Sequence, residues 1–512
     1  MWRPLPSPSR SHNEGGYSEP LSIWNQHSPR VYIAVVLCFP CDDRLRGDAV
    51  RHLDAAIRRL ARSRPLFAGK LYSSGPGQVS IHRAPGYTIP FEVCATEEES
   101  RQTYERMSDE GFPPSLFINP RYGPVGDPEQ ASELLPVSKV QARFVPGGLL
   151  LSVFLHHSIM DGQSLGIFLE CLAAQTRQGF VDYPSEQTIS FSPSRHYHNS
   201  TKGPCDRRAQ FKRLAAKCPE YTILPDLSGP TQPRFLEAGT PIGEIERTGK
   251  IFVISKEKLD ALKGLGWGIH ASSPTLPTCY CALAALTFAH VTRARRGAEN
   301  YLEDCKGMGG GGGAVGGGGE NASASGANRP APARRATAQL WNSVNWRARA
   351  FQDATRDYFG NAALPAVTKV ATRQLAAACE DDAELAKVVS LIGETIDDVD
   401  QSYVHSRLAM MSAAPDPRII GVRYDPRTPE VLAFNTWRYF GADAEWQIPG
   451  VPVAKPDAIR RAHANWNLGT ALILPVQANS TKQELFLSLS TEAMKRLCED
   501  ERWMRWVDRV IG

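Results

Sequence analysis

Residues 156–162 of the chain read HHSIMDG. They follow an apolar run at residues 149–155 (LLLSVFL), whose length and branched side chains predict a buried strand. Imidazole is the side chain whose ordinary pKa lies nearest to neutral pH, and a strand end gives it a fixed direction. Gly162, directly after an acid, lets the backbone turn. The segment therefore favours a general base at His157, although a histidine at a strand end is as often a packed or surface residue.

The composition is that of a soluble globular protein. The chain has 512 residues, enough for two or more domains, with 42% hydrophobic and 22% charged residues. The 58 basic and 54 acidic residues leave a net charge of +4, which argues against a nucleic-acid-binding protein. Eleven cysteines without regular spacing indicate reduced thiols. Since no apolar stretch approaches the ~20 residues that span a bilayer, we expect a cytoplasmic protein without a membrane partner.

Changes in composition along the chain suggest its organisation. Residues 1–29 are rich in Pro and Ser and are predicted to form a disordered tail. Prolines accumulate at residues 218–248, which we interpret as a crossover linker, and residues 306–337 are a glycine-rich insertion predicted to be disordered. The chain then divides into an N-terminal domain at 30–217 and a C-terminal domain at 249–512. Mixed strand and helix patterns in both halves predict the α/β class. Among them are a β-hairpin that turns at residues 146–148, a helix that opens at Asp48 with apolar positions spaced by three and four, and a helical region at about residues 367–401.

The spacing of His157, Asp161 and Gly162 resembles the first signature of the HxxxD, or BAHD-type, acyltransferases. The nearest likeness is to the fungal trichothecene O-acetyltransferase-like group. Weaker landmarks follow in the expected order at residues 58–71, 282–295, 358–361 (YFGN) and 474–487. The resemblance thus covers about residues 30–510. One departure is clear, because the family's second signature, Asp-Phe-Gly-Trp-Gly, is here DAEWQ at residues 443–447 and lacks both glycines.

The resemblance implies two domains like chloramphenicol acetyltransferase, each a mixed β-sheet with flanking helices, and an active-site channel between them. It implies an acyl-CoA-dependent O- or N-acyltransferase, with acetyl-CoA as the expected co-substrate and a small secondary metabolite as the acceptor. His157 would remove the acceptor's proton during direct attack on the thioester, so no acyl-enzyme is required. No bound cofactor or metal is expected, and the family expectation is a monomer.

Roles for further residues also come from the resemblance. Asp161 and Gly162 would shape the active-site loop, with Arg293 or Arg295 as the candidate partner of Asp161. Asp443 is assigned to the catalytic set. The remaining candidates are an oxyanion donor, Trp446; two acceptor contacts, Asn435 and Trp437; and three contacts to CoA, Ser272, Ser273 and Thr275, for which helix capping is an equal interpretation.

Alternatives remain open at this point. Residues 162–166 spell GxSxG, the nucleophile elbow of serine hydrolases, with Ser164 as the nucleophile, although residues 156–161 separate it from the strand. A condensation domain would share the doubled histidine but would take its acyl group from a carrier protein. A degenerate family member could bind a ligand without catalysis. Metal binding by His156, His157 and Asp161 is disfavoured, because three ligands on one turn rarely share a tetrahedral centre.

Overall fold

The computed structural model describes residues 16–94, 102–178, 204–224, 239–265, 278–297, 337–351 and 358–512. The predicted glycine-rich insertion lies outside these ranges except for its last residue, Thr337, which begins a strand. Among the described residues, no helix is both long and apolar enough to cross a bilayer. The architecture is α/β with two main mixed sheets, as predicted.

The N-terminal half contributes the first strands and helices. Its strands are β1 (Tyr17–Pro20), β2 (Tyr32–Pro40), β3 (Lys70–Gly75), β4 (Gln78–Arg83), β5 (Phe91–Cys94), β6 (Leu135–Pro136), β7 (Ser138–Val145) and β8 (Gly148–His156). Its α-helices are α1 (Ile23–Gln26), α2 (Arg46–Ser63), α3 (Tyr104–Asp109) and α4 (Gly162–Thr176).

A helix and a strand at residues 204–223 come between the first sheet and the strands of the C-terminal half. The remaining strands are β9 (Tyr221–Ile223), β10 (Arg247–Ser255), β11 (Thr337–Asn345), β12 (Ala363–Ala371), β13 (Ile420–Val422), β14 (Val431–Thr436), β15 (Ala458–Ala462), β16 (Thr470–Ile473), β17 (Lys482–Ser490) and β18 (Arg509–Ile511). The remaining helices are α5 (Pro204–Ala215), α6 (Lys256–Leu265), α7 (Cys279–Arg296), α8 (Thr372–Ala378), α9 (Asp382–Asp397), α10 (Gln401–Ala413), α11 (Thr491–Cys498) and α12 (Glu501–Met504).

Two large sheets organise the molecule. One has five strands in the order β15-β2-β8-β7-β5, and the other has seven in the order β12-β11-β14-β16-β17-β10-β18. Helices α2 and α4 pack on one face of the first sheet, and helices α6, α7, α8, α9 and α11 pack on one face of the second. Smaller sheets, β1-β4-β3-β6 and β13-β9, complete the described fold.

Strand β8 forms the centre of the five-stranded sheet because, apart from Ser152 and the terminal His156, its residues are apolar. All nine of its residues are buried, which agrees with the unbroken apolar run seen in the sequence. It pairs antiparallel with β2 on one side and with β7 on the other. The β7–β8 turn uses Gly147 at a φ of +79°, a conformation that glycine adopts without a Cβ clash. The hairpin therefore agrees with the sequence prediction.

The predicted disordered tail is wrong for residues 16–29. Strand β1 pairs with β4 over four residues, and α1 follows it directly. Trp24 is buried, and its ring centroid lies 5.2 Å from that of Trp346 in the C-terminal half. Burial of this large apolar side chain offsets the entropy cost of ordering the segment, which the Pro/Ser content alone did not reveal.

The predicted domain boundaries also need correction, because the N-terminal sheet contains a strand from the C-terminal half. Strand β15 pairs antiparallel with β2, with Ala458 opposite Cys38. Ala444 and Trp446, which precede β15 in the chain, pack into the core between the N-terminal sheet and helices α2 and α4. This part of the predicted 249–512 domain therefore belongs structurally to the first sheet.

The helical region predicted at about residues 367–401 is helical from residue 372, in α8 and α9, but its first five residues are not. Residues Ala363–Ala371 form strand β12 instead, and helix α8 begins only at Thr372. Along β12 exposed or half-buried residues alternate with buried ones, which is the strand period of two. The YFGN element at residues 358–361 therefore lies between strands β11 and β12.

Gly162, the first residue of α4, lies in close contact with the ring of Phe440. An ideal Cβ at Gly162 would overlap the ring of Phe440, so glycine is required there by close approach rather than by a positive φ. We predict that Gly162→Ala lowers the free energy of unfolding by about 1–3 kcal/mol, as overpacking does. Gly393 in α9 is the matched control: a Cβ there meets open space, so Gly393→Ala should raise stability by up to about 1 kcal/mol. Urea unfolding of both variants measures this, and equal shifts would contradict the packing argument.

Candidate active site

The two histidines at the end of β8 have different environments. His156 is fully buried and faces away from solvent opposite Tyr32. Its Nδ1 accepts a hydrogen bond from the Ser158 backbone N–H at 3.2 Å, and its Nε2 donates to the Gly126 carbonyl. Burial lowers the pKa of His156 to about 4. The imidazole of His156 is therefore neutral, with both nitrogens engaged, and has no free nitrogen for catalysis.

His157 has a fixed backbone and a free side chain. Its amide donates to the Val31 carbonyl at 2.8 Å, and its carbonyl accepts from Asn361 Nδ2 at 2.8 Å. The residue is half-buried, and its Nδ1 is buried without a hydrogen-bond partner in the described part of the chain. Neither ring nitrogen of His157 is hydrogen-bonded within the described ranges, and since Nδ1 is buried, Nε2 is the nitrogen that a bound molecule can reach.

Asp161 is held by a buried ion pair with Arg347. The guanidinium binds the carboxylate through both arms, with Nη1–Oδ2 at 2.8 Å and Nη2–Oδ1 at 3.0 Å. Asp161 is also the N-cap of α4 through Ser164 N–H, and it accepts from Ala362 N–H. Burial opposes charge on this carboxyl, but Arg347 and the two amides outweigh it, so the pKa of Asp161 lies below its ordinary value. Asp161 is thus ionised and fully engaged by structural partners.

The candidate partners proposed for Asp161 from the sequence are wrong. Arg293 binds Asp500 and Glu380, and Arg295 donates to backbone carbonyls near β14. Both belong to α7 on the seven-stranded sheet. The true partner, Arg347, lies two residues after β11 and carried no recognisable signal, because only the tertiary fold brings it to Asp161.

Residues 358–361, which the sequence supplied only as a landmark, link the two halves at this loop. Arg347 Nε donates to the Tyr358 carbonyl and Nη2 donates to the Gly360 carbonyl, both at 2.7 Å. Asn361 bonds the His157 carbonyl and also Asn25 Oδ1, the latter at 2.9 Å. Sequence analysis therefore missed Arg347, Asn361 and Asn25 as residues that position His157.

Ser164 is placed as a structural residue, so the serine-hydrolase interpretation is wrong. The side chain is fully buried in the first turn of α4. Its Oγ donates to the Gly360 carbonyl and accepts from the Gly360 amide, both at 3.1 Å. No histidine is among its hydrogen-bond partners within the described ranges, and a serine nucleophile needs an adjacent base. Metal binding by His156, His157 and Asp161 is also disfavoured, because both nitrogens of His156 and both oxygens of Asp161 are hydrogen-bonded within the protein.

Asp443 and Trp446 both lie in the loop before β15, and their predicted roles, in the catalytic set and as an oxyanion donor, stay predictions; the indole Nε1 of Trp446 is buried without a hydrogen-bond partner in the described part of the chain. Asp443 is exposed, forms an ion pair with Lys455 at 2.8 Å and accepts from the Ala478 amide at 3.0 Å. Trp446 is buried in the N-terminal core, with its ring centroid 5.8 Å from that of Phe39. Both residues therefore brace the loop that leads into β15.

The remaining predicted contacts lie at the junction of the halves or outside the described residues. Asn435 on β14 accepts a hydrogen bond from the Ser343 amide at 3.1 Å. Trp437 is half-buried and packs against the core of the N-terminal sheet and also against the seven-stranded sheet. The three predicted contacts to CoA, Ser272, Ser273 and Thr275, fall outside the described ranges.

Loss of Arg347 should strongly destabilise the protein. Arg347→Met leaves the Asp161 carboxylate buried and unpaired, which costs about 3–5 kcal/mol of unfolding free energy. Urea unfolding measures the loss, and a second change, Asp161→Asn, should recover part of it by removing the stranded charge. Arg58→Met, which breaks an exposed ion pair with Asp54 on α2, should leave the midpoint unchanged. Equal effects of Arg347→Met and Arg58→Met would contradict a structural role for the buried pair.

His156 should make stability fall as the solution is acidified. Its pKa is 6.5 unfolded and about 4 folded, so between these values the unfolded chain binds more protons. Stability therefore decreases as pH falls from 6.5 to about 4, by up to about 3 kcal/mol from this group. His156→Gln should show a shallower decrease when urea midpoints are compared between pH 7 and pH 4.5. If the urea midpoint fell equally with pH in both proteins, His156 would not be the cause of the loss of stability in acid.

Comparison with known proteins agrees with this geometry. Residues 31–175 match the family description "Trichothecene 3-O-acetyltransferase-like N-terminal domain", and residues 322–504 match the "Transferase family". Acyltransferase BOA11 of Botryotinia fuckeliana is 23% identical, with 94% of this chain and 96% of that protein covered. Trichothecene 8-O-acetyltransferase of Fusarium sporotrichioides is 22% identical, with 95% and 97% covered.

Solved structures share the fold. The TRI101 protein of F. graminearum, in complex with coenzyme A and T-2 mycotoxin, superposes with a TM-score of 0.72 at 18% identity, covering 97% of this chain and 100% of that one. Vinorine synthase gives a TM-score of 0.58 at 16% identity, covering 98% and 96%. The two family matches together span more than half of the chain. The chain therefore belongs to the Transferase family of BAHD-type acyltransferases and has a trichothecene 3-O-acetyltransferase-like N-terminal domain.

Proposed function

We propose that this enzyme transfers an acetyl group from acetyl-CoA to a hydroxyl or amine of a small secondary metabolite, with His157 as the general base. The observation that carries the proposal is the contrast between adjacent imidazoles. His156 has both nitrogens bonded, whereas His157 is held only through its backbone, and its Nε2 is neither buried nor hydrogen-bonded among the described residues.

The chemistry needs one proton acceptor and no protein nucleophile. As the acceptor oxygen or nitrogen attacks the thioester carbonyl, His157 takes its proton. The new bond to the acyl carbon forms, the carbon–sulfur bond breaks, and the departing thiolate receives the proton back from the imidazolium. General-base help of this kind is typically worth 10²–10⁴-fold in rate.

The ion pair behind the loop suits this role. A carboxylate directed at His157 would stabilise the imidazolium and raise the pKa of the base. Here both oxygens of Asp161 are committed to Arg347 and to backbone amides. Asp161 therefore supports the position of His157 in this proposal without acting on its proton.

The relatives supply the substrate class. They include a trichothecene 8-O-acetyltransferase and an eremophilane O-acetyltransferase, and a TRI101 structure contains coenzyme A with a mycotoxin. By analogy, the acceptor here is a small secondary-metabolite alcohol, and CoA is a co-substrate rather than a resident cofactor. We further propose that the enzyme acts as a cytoplasmic monomer, with its channel between the two sheets.

The alternative of a degenerate binding protein loses its main motivation. That interpretation arose from the loss of both glycines at residues 443–447. In the structure, Ala444 and Trp446 of this loop are buried in the N-terminal core, so the loop is ordered and supports the sheet. A changed loop sequence is therefore compatible with an intact site.

The test is the activity of His157→Ala with acetyl-CoA and a panel of trichothecene and eremophilane alcohols. We expect kcat to fall by about 10²–10⁴-fold with little change in the urea midpoint, because the side chain makes no hydrogen bond in the described structure. Mass spectrometry of the acetylated product measures turnover.

His82→Ala, on the β3–β4 hairpin, is the matched control and should retain the activity of the parent enzyme. A fluorophosphonate probe should leave Ser164 unlabelled, since its hydroxyl is buried against Gly360. Full activity of His157→Ala would rule out His157 as the base.

A further inference from the structure

Two buried asparagines, Asn25 and Asn361, connect helix α1 to the backbone of His157. Asn361 Nδ2 donates one hydrogen to Asn25 Oδ1 at 2.9 Å and the other to the His157 carbonyl at 2.8 Å. The Asn361 backbone N–H donates to the same oxygen of Asn25 at 3.0 Å. Each asparagine side chain lies in a residue that is only 7% exposed. Since a primary amide carries two N–H groups, Asn361 has committed both of them.

The direction of these hydrogen bonds depends on Asn25. A side-chain amide that turns over exchanges the places of its oxygen and its nitrogen with little change in shape. At Asn361 such a turn would direct an oxygen at the His157 carbonyl, which is also an acceptor, and the bond between them would be lost. The Asn25 oxygen opposes the turn, because it accepts from both the backbone and the side chain of Asn361.

Asn25 is firmly held although α1 has only four residues. A single helical turn is not stable by itself in water, so tertiary contacts must fix it. Strand β1 pairs with β4 directly before α1, and the Leu21 amide donates to the Val79 carbonyl at 3.1 Å. Trp24, next to Asn25, is buried against Trp346. Asn25 therefore offers Asn361 an acceptor in a fixed position.

The ring of His157 depends on its backbone for its direction, because neither ring nitrogen is hydrogen-bonded in the described part of the chain. Two bonds fix that backbone: the His157 amide to the Val31 carbonyl, and Asn361 to the His157 carbonyl. Without the second bond, the peptide plane after His157 is free to turn, and the Cα–Cβ bond that directs the ring turns with it. A displacement of about 1 Å at a reacting group costs roughly 100-fold in rate.

We propose that Asn25 is a positioning residue of the reaction. It fixes the amide of Asn361, which fixes the carbonyl of His157 and so the direction of the base. The inference rests on the proposed function, since it takes His157 as the base. It places a residue needed for turnover in α1, within a segment whose composition predicts disorder.

The first test compares kcat and KM of full-length variants for acetyl transfer. Asn25→Ala should lower kcat by about ten- to a hundredfold and leave the KM for acetyl-CoA within twofold of the parent, because the change displaces the base. Gln26→Ala is the matched control on the same helix. It also removes two hydrogen bonds of α1, but these go to the backbone of Val79 on β4. It should lower the urea midpoint to a similar extent and keep kcat within twofold.

The same substitution at both asparagines tests the direction of the bonds. Asn25→Asp keeps an oxygen where Asn361 donates, so kcat should stay within about threefold of the parent. Asn361→Asp removes both donors and places a carboxylate between two oxygens, so kcat should fall at least as far as in Asn25→Ala. If Asn361→Asp does not fold, the comparison of Asn25→Asp with Asn25→Ala decides. Equal losses of kcat in Asn25→Ala and Asn25→Asp, or in Asn25→Ala and Gln26→Ala, would overturn the proposal.

Amide hydrogen exchange separates this inference from the proposed function, because it needs no turnover. In Asn25→Ala, peptides that contain residues 157–161 should exchange about tenfold or more faster than in the parent, whereas those from β7 should not change. If the parent transfers no acetyl group but this exchange still accelerates, the link from Asn25 to His157 stands and the proposed function fails. An unchanged kcat in an active enzyme, or unchanged exchange in an inactive one, would overturn the proposal.

Discussion

The buried ion pair between Asp161 and Arg347 is the interaction on which the site depends. It joins the loop after β8 to the segment after β11; Asp161 also accepts from the Ala362 amide of the C-terminal half, and Arg347 donates to the nearby Gly360 carbonyl. A carboxylate and a guanidinium taken out of water are tolerated only when every remaining donor and acceptor is satisfied. Arg347 meets this condition through the carbonyls of Tyr358 and Gly360. The result is a loop whose geometry is specified by both halves of the chain.

This arrangement divides tasks between side chains that look alike in sequence. His156 is used to fix the strand end, with a burial-lowered pKa that keeps it neutral. His157, one residue later, is held only by its amide and carbonyl, so its ring is left for chemistry. Asp161 and Ser164 hold the loop in shape and take no part in the proposed proton transfer. An active site built in this way separates rigidity from reactivity, because no residue that positions the base also competes for its proton.

Sequence could predict the parts of this structure that depend on local pattern. The apolar run of β8, the turn at Gly147 and the period of α2 all gave elements at nearly the observed positions. Pairings between distant segments were not predictable: Arg347 with Asp161, Asn361 with His157, and β15 with β2 each join residues that only the tertiary fold brings together. The sequence predicts helix over the second half of β12, because its alanines and lysine are compatible with either state. The contacts of the loop at residues 443–447 were equally unpredictable, because Asp443 meets Lys455 and the Ala478 amide only in the folded protein.

The position of β15 has a consequence for how the protein is made. Strand β2 is complete at Pro40, but the strand that covers its edge begins at Ala458, more than 400 residues later. Until the ribosome has released that segment, β2 presents an apolar edge with open backbone donors and acceptors, the kind of surface that recruits other chains. We therefore expect the nascent N-terminal half to need chaperones, and the sharing of this sheet between the two halves to couple their unfolding.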